Sequence, residues 1–255
     1  MNVVIAAIHG ILTGQTNPTW PDRLEAWMFQ RDPEVKVLKK HYCAGPFPRW
    51  NCWVEDPRLA REIADELNLY TAATKKPGVW FIAHSNGAVI ALLAAGLLIK
   101  QGTKVEGLIL TGAACEPDID LNGVLEWQCR GMLGSAIAYS SPDDRVLSLE
   151  PGRRRDGVVG LFARVAGWCW GKIIYPYGAL GRSGWLLDGQ SVGANEPRVP
   201  GAALFSRWFT GGHSVYFTPG NMLGTFERFY QDVKNANAEK LQRYKVTGKT
   251  LKCET

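Results

Sequence analysis

The sequence predicts an α/β protein built on an open, mostly parallel sheet of about six strands with helices on both faces. Three observations predict it. Short continuous apolar runs at residues 2–8, 79–83 and 105–111 lack the polar alternation of half-exposed strands and suit strands covered on both sides. Segments of helical period separate them, so strand and helix alternate as crossover connections require. Finally, Ala83-His84-Ser85-Asn86-Gly87 joins the central apolar run to a long apolar helix pattern ending at Ile99, which reads as strand, sharp turn, helix.

In chain order, the first strand (2–8) runs into His9-Gly10-Ile11-Leu12-Thr13-Gly14. A helix follows, because Thr19 and Asp22 have the spacing of a capping box, Pro21 is tolerated in a first turn, and Leu24, Trp27 and Met28 share one face. Residues 35–42 form a second strand, whose lysines suit a sheet edge. Asp56 and Pro57 open the next helix, with Leu59, Ile63, Leu67 and Tyr70 at helical spacing, and Lys75-Lys76-Pro77-Gly78 breaks it. After the strand, turn and helix around Ser85 come a strand at 105–111, a helix at 121–130 and a strand at 135–140. Residues 147–202 then lose periodicity and mix glycines, arginines and aromatics, an irregular insertion before the last strand at 203–209. A helix carrying Met222, Phe226, Phe229 and Val233 closes a single domain of residues 1–235, and 236–255 reads as a polar tail.

Composition sets the outer limits. A chain of 255 residues with 46% apolar and 21% charged residues has the make-up of a soluble enzyme with one sizeable core. Residues 1–8 lack the basic start and longer apolar stretch of an export signal, which predicts a cytoplasmic protein. Six cysteines without Cys-x-x-Cys spacing favour reduced thiols over a disulfide framework or a zinc site, with Cys43 to Cys52 the alternative pairing. The net charge of +5 is spread out, and its one cluster, Arg153-Arg154-Arg155, is too short to predict nucleic-acid binding. No apolar run approaches the roughly 20 residues of a membrane span. Contact of 153–185 with a membrane surface stays open.

A serine on such a turn is forced into a strained backbone region that lifts its hydroxyl clear of the sheet, with the next N–H facing the same space. Small residues must flank it, and Ala83 and Gly87 do. These five residues resemble the nucleophile elbow of the α/β-hydrolase superfamily, with alanine in place of the usual first glycine. The resemblance covers residues 1 to about 235 in outline and implies a compact member lacking two strands that often precede the first one here.

What the resemblance implies about the site can be set beside what the chemistry needs. A serine hydroxyl requires a base within hydrogen-bond reach and an acid to hold that base. Ser85, Asp143 and His213 each follow a strand, in the family's order of serine, acid, histidine. Asp143 is the favoured acid and Asp144 its competitor, with Glu116 and Asp118 in reserve. His213, in Gly211-Gly212-His213-Ser214, resembles the family's catalytic histidine loop. His9-Gly10 resembles its oxyanion loop, which assigns the backbone N–H groups of Ile11, or alternatively Leu12, and of Asn86 to the developing anion. His9 is expected to shape the loop and His84 to pack. The expected activity is cleavage of a carboxylic ester through an acyl-enzyme, with no cofactor or metal. The aromatic and apolar stretch 158–185 either lines an acyl pocket, favouring a lipid-like or aryl ester, or packs on the sheet. Thioester and amide cleavage, or a catalytically silent binding module on the same scaffold, are the alternatives.

Overall fold

A computed structural model describes residues 1–10, 19–42, 54–74, 77–118, 123–147, 178–187, 190–191 and 203–246, with the side chains of 187, 190, 191 and 237–246 excepted. Its centre is a six-stranded sheet in which every neighbouring pair is parallel. In chain order the elements are β1 (Val3–Ile8), α1 (Trp20–Arg31), β2 (Val35–Lys40), α2 (Asp56–Ala73), β3 (Gly78–His84), α3 (Gly87–Lys100), β4 (Val105–Thr111), α4 (Val124–Cys129) and β5 (Leu133–Ser140). There follow α5 (Leu180–Ser183), a small antiparallel pair β6 (Leu186–Leu187) and β7 (Gln190–Ser191), β8 (Leu204–Trp208), a 3₁₀ turn at Val215–Phe217 and α6 (Met222–Val246). The strands lie side by side as β2-β1-β3-β4-β5-β8.

That order follows from the pattern of the chain. β1 is buried along its whole length, with Val4, Ala6 and Ile8 facing one helical layer and Val3, Ile5 and Ala7 the other. The first layer is α2, α3 and α4; the second is α1 and α6. Opposite faces of one strand thus feed two cores, as the period of two demands. β2, with Lys36, Lys39 and Lys40, lies at the sheet edge. The Lys40 ammonium pairs with Glu66, and Lys39 reaches Asp22 at 3.1 Å and Glu25 at 2.7 Å. At the start of α1 the Asp22 carboxylate accepts from the Thr19 backbone N–H at 2.9 Å, the predicted capping contact.

Several boundaries differ from expectation. Helix α4 is shorter than 121–130, and α6 continues to Val246 where a polar tail was expected from 236. That stretch contains Ala236, Ala238, Glu239, Lys240 and Leu241 and neither Gly nor Pro before Val246, so helical propensity carries the backbone on. Most of 147–202, including Arg153–Arg155, Cys169 and most of the 158–185 stretch, lies outside the described residues, as do Cys43 and Cys52. Its re-entry is described: Leu180 N–H donates to Cys115 O at 3.0 Å and Gly181 N–H to Ala113 O at 2.8 Å. Trp185, from that aromatic stretch, is fully buried in the α2–α3–α4 core, so it packs instead of lining an acyl pocket. Among the described residues, no helix is long and apolar enough to cross a membrane, and no cluster of three or more His, Cys, Asp or Glu has the arrangement to hold a metal ion.

From β1 the chain moves outward to β2, then crosses back to β3 on the other side of β1. The order therefore reverses at the carboxyl ends of β1 and β3, where open parallel sheets carry their sites. Gly10 and Ser85 lie there.

Candidate active site

β3 ends at His84 and α3 begins at Gly87, leaving two residues to reverse the chain. Ser85 takes φ +56°, the one non-glycine residue at positive φ among those described. Such a conformation costs about 1–3 kcal/mol and persists only where surroundings impose it. Here they do: Ser85 N–H donates to Thr111 O at 3.0 Å, while Ser85 O accepts from Ala88 N–H and Ala114 N–H, each at 3.1 Å. Glycine is required at 87 by close approach, since a Cβ there would lie 2.6 Å from His9 O and 2.7 Å from Ile8 O. Gly10 is equally constrained, because its Cβ would lie 2.6 Å from Ser85 Cβ. The end of β1 thus passes directly over the serine.

His213 arrives from the loop after β8. Its Nε2 lies 2.8 Å from Ser85 Oγ, and its Nδ1 lies 2.7 Å from Asp144 Oδ2. A carboxylate only accepts, so Nδ1 carries the proton and Nε2 is left to accept the serine hydroxyl. The carboxylate beside His213 Nδ1 is therefore that of Asp144 and not of Asp143, the residue favoured from sequence. The Asp144 side chain is fully buried, and its Oδ1 accepts the Leu147 N–H at 3.1 Å. Asp143 points the other way, where its Oδ2 accepts the Gly211 N–H at 3.1 Å on the exposed side of the loop. Glu116 and Asp118 do not occupy the place beside Nδ1 either.

The strained serine on a strand-to-helix turn, the order serine, acid, histidine, and their convergence at one end of a parallel sheet together decide the architecture. The chain has the α/β-hydrolase fold. No protein-family model matches it, and no curated protein sequence does. Among solved structures, it is similar to an uncharacterized protein from Bacillus cereus, with a TM-score of 0.53 and 12% identity over 93% of this chain and 60% of that one. It is also similar to RedJ, a thioesterase from the prodiginine biosynthetic pathway of Streptomyces coelicolor (TM-score 0.44, 13% identity, 89% of each chain). Human thioesterase 2 is a third (TM-score 0.46, 11% identity, 92% of this chain and 98% of that one).

Within this α/β-hydrolase fold the other two histidines of the site are structural in their contacts. His84 is buried; its Nε2–H donates to the His213 backbone carbonyl at 3.1 Å, and the two rings lie 4.9 Å apart. Burial, and secondarily the neighbouring His213, depress its pKa to about 3, so it is neutral at ordinary pH. The packing role expected for His84 thus acquires a partner, the loop that carries His213. His9 takes the Tyr42 N–H on Nε2 at 3.0 Å and donates from Nδ1 to Gly10 O at 2.7 Å, and burial lowers its pKa. This is the loop-shaping position expected for it.

Of the two predicted anion donors, the Asn86 backbone N–H has no acceptor among the described residues and sits at the start of α3, where the helix dipole favours negative charge. Ile11 and its alternative Leu12 lie outside the described residues. Sequence reasoning passed over two further neighbours of the elbow, Tyr42 and Asp56, whose contacts with Asn86 join elements distant in sequence. Only a polar residue at the start of α2 hinted at them. Cys115, one residue beyond Ala114, is a buried thiol whose pKa burial raises.

Proposed function

We propose that this chain is a serine hydrolase that cleaves a carboxylic ester through an acyl-enzyme. The observation that carries the reading is the unbroken hydrogen-bonded line from Ser85 Oγ through both His213 nitrogens to Asp144. In the first half-reaction Ser85 Oγ attacks the ester carbonyl carbon as its proton passes to His213 Nε2. The imidazolium so formed is held by the Asp144 carboxylate. The carbonyl oxygen becomes an anion facing the Asn86 N–H, and Ile11 remains the proposed second donor; each such donor is worth about 3 kcal/mol in the transition state. Collapse breaks the bond to the alcohol oxygen, which takes the proton from His213. Water then repeats the sequence on the acyl-enzyme, giving its proton to Nε2 and releasing the carboxylic acid and free Ser85.

A lipid-like or aryl ester is the favoured substrate class, on the apolar and aromatic content of 158–185. The same groups serve a thioester or an amide, so a panel of acyl esters is run beside matching thioesters. We place the enzyme in a reducing, cytoplasmic setting, on its cysteine pattern. The test of the reading is intact-mass analysis after treatment with a fluorophosphonate, on wild type and Ser85→Ala in parallel. One adduct on wild type and none on the variant is the expected result. A folded wild type that takes up no probe would replace the reading by a silent binding module.

A further inference from the structure

Asn86 and Asp56 are fully buried and His9 nearly so, yet all three are polar. Buried polar groups are costly unless bonded, and these form one connected string. The Asn86 Nδ2 group donates to Asp56 Oδ1 at 3.0 Å and to the Tyr42 hydroxyl at 3.2 Å. The Asp56 oxygen accepts in this contact, so the amide nitrogen faces it. The Tyr42 ring stacks on His9 with centroids 4.9 Å apart and planes 8° from parallel, and its backbone N–H donates to His9 Nε2. His9 Nδ1–H in turn holds the Gly10 carbonyl.

The two ends of this string are the two walls around Ser85. One is the Ser85–Asn86 peptide, whose N–H faces the proposed anion site. The other is Gly10, packed over the serine from the end of β1. Between them run Tyr42, two residues beyond β2, and Asp56, the first residue of α2. The His213–Asp144 side takes no part in the string.

We infer that Tyr42 and Asp56 are positioning residues of the oxyanion site, acting on one wall through the Asn86 side chain and on the other through His9 and Gly10. This rests on the hydrolase reading above. Turning the Ser85–Asn86 peptide away from its position would pull the Asn86 amide off two acceptors in a dry interior, so the string resists that rotation. An apolar side chain at 86 would fill the space without the need for a carboxylate. A buried, carboxylate-anchored amide instead selects one conformation of the elbow. His9 reinforces the opposite wall as a neutral ring, donating on one side and accepting on the other.

The test uses the full chain as wild type, Tyr42→Phe, Asp56→Ala and Asp56→Asn. Two quantities are read for each: the second-order rate of Ser85 modification by a fluorophosphonate, and the pH at which the hemiketal formed with a ¹³C-carbonyl alkyl trifluoromethyl ketone ionises, followed by NMR. The second reports how well the site stabilises an oxyanion, and a change confined to fold stability does not move it. Tyr42→Phe and Asp56→Ala are expected to be labelled on the order of 10- to 100-fold more slowly, with hemiketal ionisation shifted to higher pH. Asp56→Asn keeps an oxygen for the Asn86 amide and stays within about fivefold of wild type. If Asp56→Ala does not fold, Tyr42→Phe decides alone, since it removes one hydroxyl and keeps both the ring stack and the backbone bond to His9. Wild-type rates and wild-type hemiketal ionisation in the variants overturn the inference and leave Ser85 as nucleophile, and slower labelling with an unmoved ionisation overturns it too. A wild type that takes no label overturns the hydrolase reading and the inference together.

Discussion

Replacing Asp144 by asparagine isolates the step on which the proposed chemistry depends. The Leu147 N–H donates to Asp144 Oδ1, so an asparagine there keeps its carbonyl oxygen toward Leu147 and turns its NH₂ toward His213 Nδ1. His213 Nδ1 must then accept, which moves the ring proton to Nε2. That nitrogen faces Ser85 Oγ at 2.8 Å and can no longer take the serine proton. A wrong tautomer of this kind costs on the order of 10⁴-fold in rate, about 5.5 kcal/mol of transition-state stabilisation. Asp143→Asn is the matched control. Its contact is with Gly211 N–H on the exposed side of the loop, and asparagine retains an acceptor oxygen there, so labelling should change by no more than about threefold. The assay is the rate of fluorophosphonate capture at Ser85 for both variants, with thermal melts to confirm that each is folded. Equal losses in the two variants, or the larger loss in Asp143→Asn, would refute the assignment of Asp144 and the reasoning from the Leu147 contact.

Three other outcomes follow from the same geometry. His84 is neutral in the fold down to about pH 3 but takes a proton near 6.5 when unfolded, so its contribution to stability is complete above pH 6.5 and is lost as pH falls from there toward 3. Between pH 7 and pH 5 the wild type should therefore lose about 2 kcal/mol more than His84→Phe, read from urea midpoints, and parallel losses would mean that His84 is protonated within the fold. Gly10→Ala places a methyl 2.6 Å from Ser85 Cβ, so Ser85 capture should fall at least about tenfold for a stability change of about 1–3 kcal/mol; wild-type capture would show that the β1 loop moves aside freely. Gly87→Ala meets two backbone oxygens at 2.6 and 2.7 Å before the Ile8 side chain, and not the serine, so its chief effect should be a loss of about 1–3 kcal/mol in urea unfolding, and an unchanged midpoint would contradict the close approach of α3 to β1.

The parts of this molecule that could be read from sequence are those fixed by short-range rules. A strand buried on both faces must be apolar throughout, so β1, β3 and β4 announce themselves, and the lysines of β2 mark the sheet edge. The elbow is legible because the turn itself demands small neighbours at 83 and 87. The choice between Asp143 and Asp144 is different in kind. Adjacent residues on one turn point in opposite directions, and which one faces His213 depends on a bond from Leu147 and on the path of the loop at Gly211. Neither has a local sequence signature.

The string through Tyr42, Asp56 and Asn86 was hidden for the same reason, in stronger form. Tyr42 reads as the end of an edge strand and Asp56 as a helix start, and each reading is sound for its own segment. Their shared role arises because the strand order reverses beside β1, which brings the exit of β2 and the entry of α2 to the carboxyl end of β3. A crossover decides which distant polar residues become neighbours, so Ser85 and His213, which follow strands, could be placed at one end of the sheet in advance. The groups proposed to hold the anion site in shape come together only once the strands have been put in order.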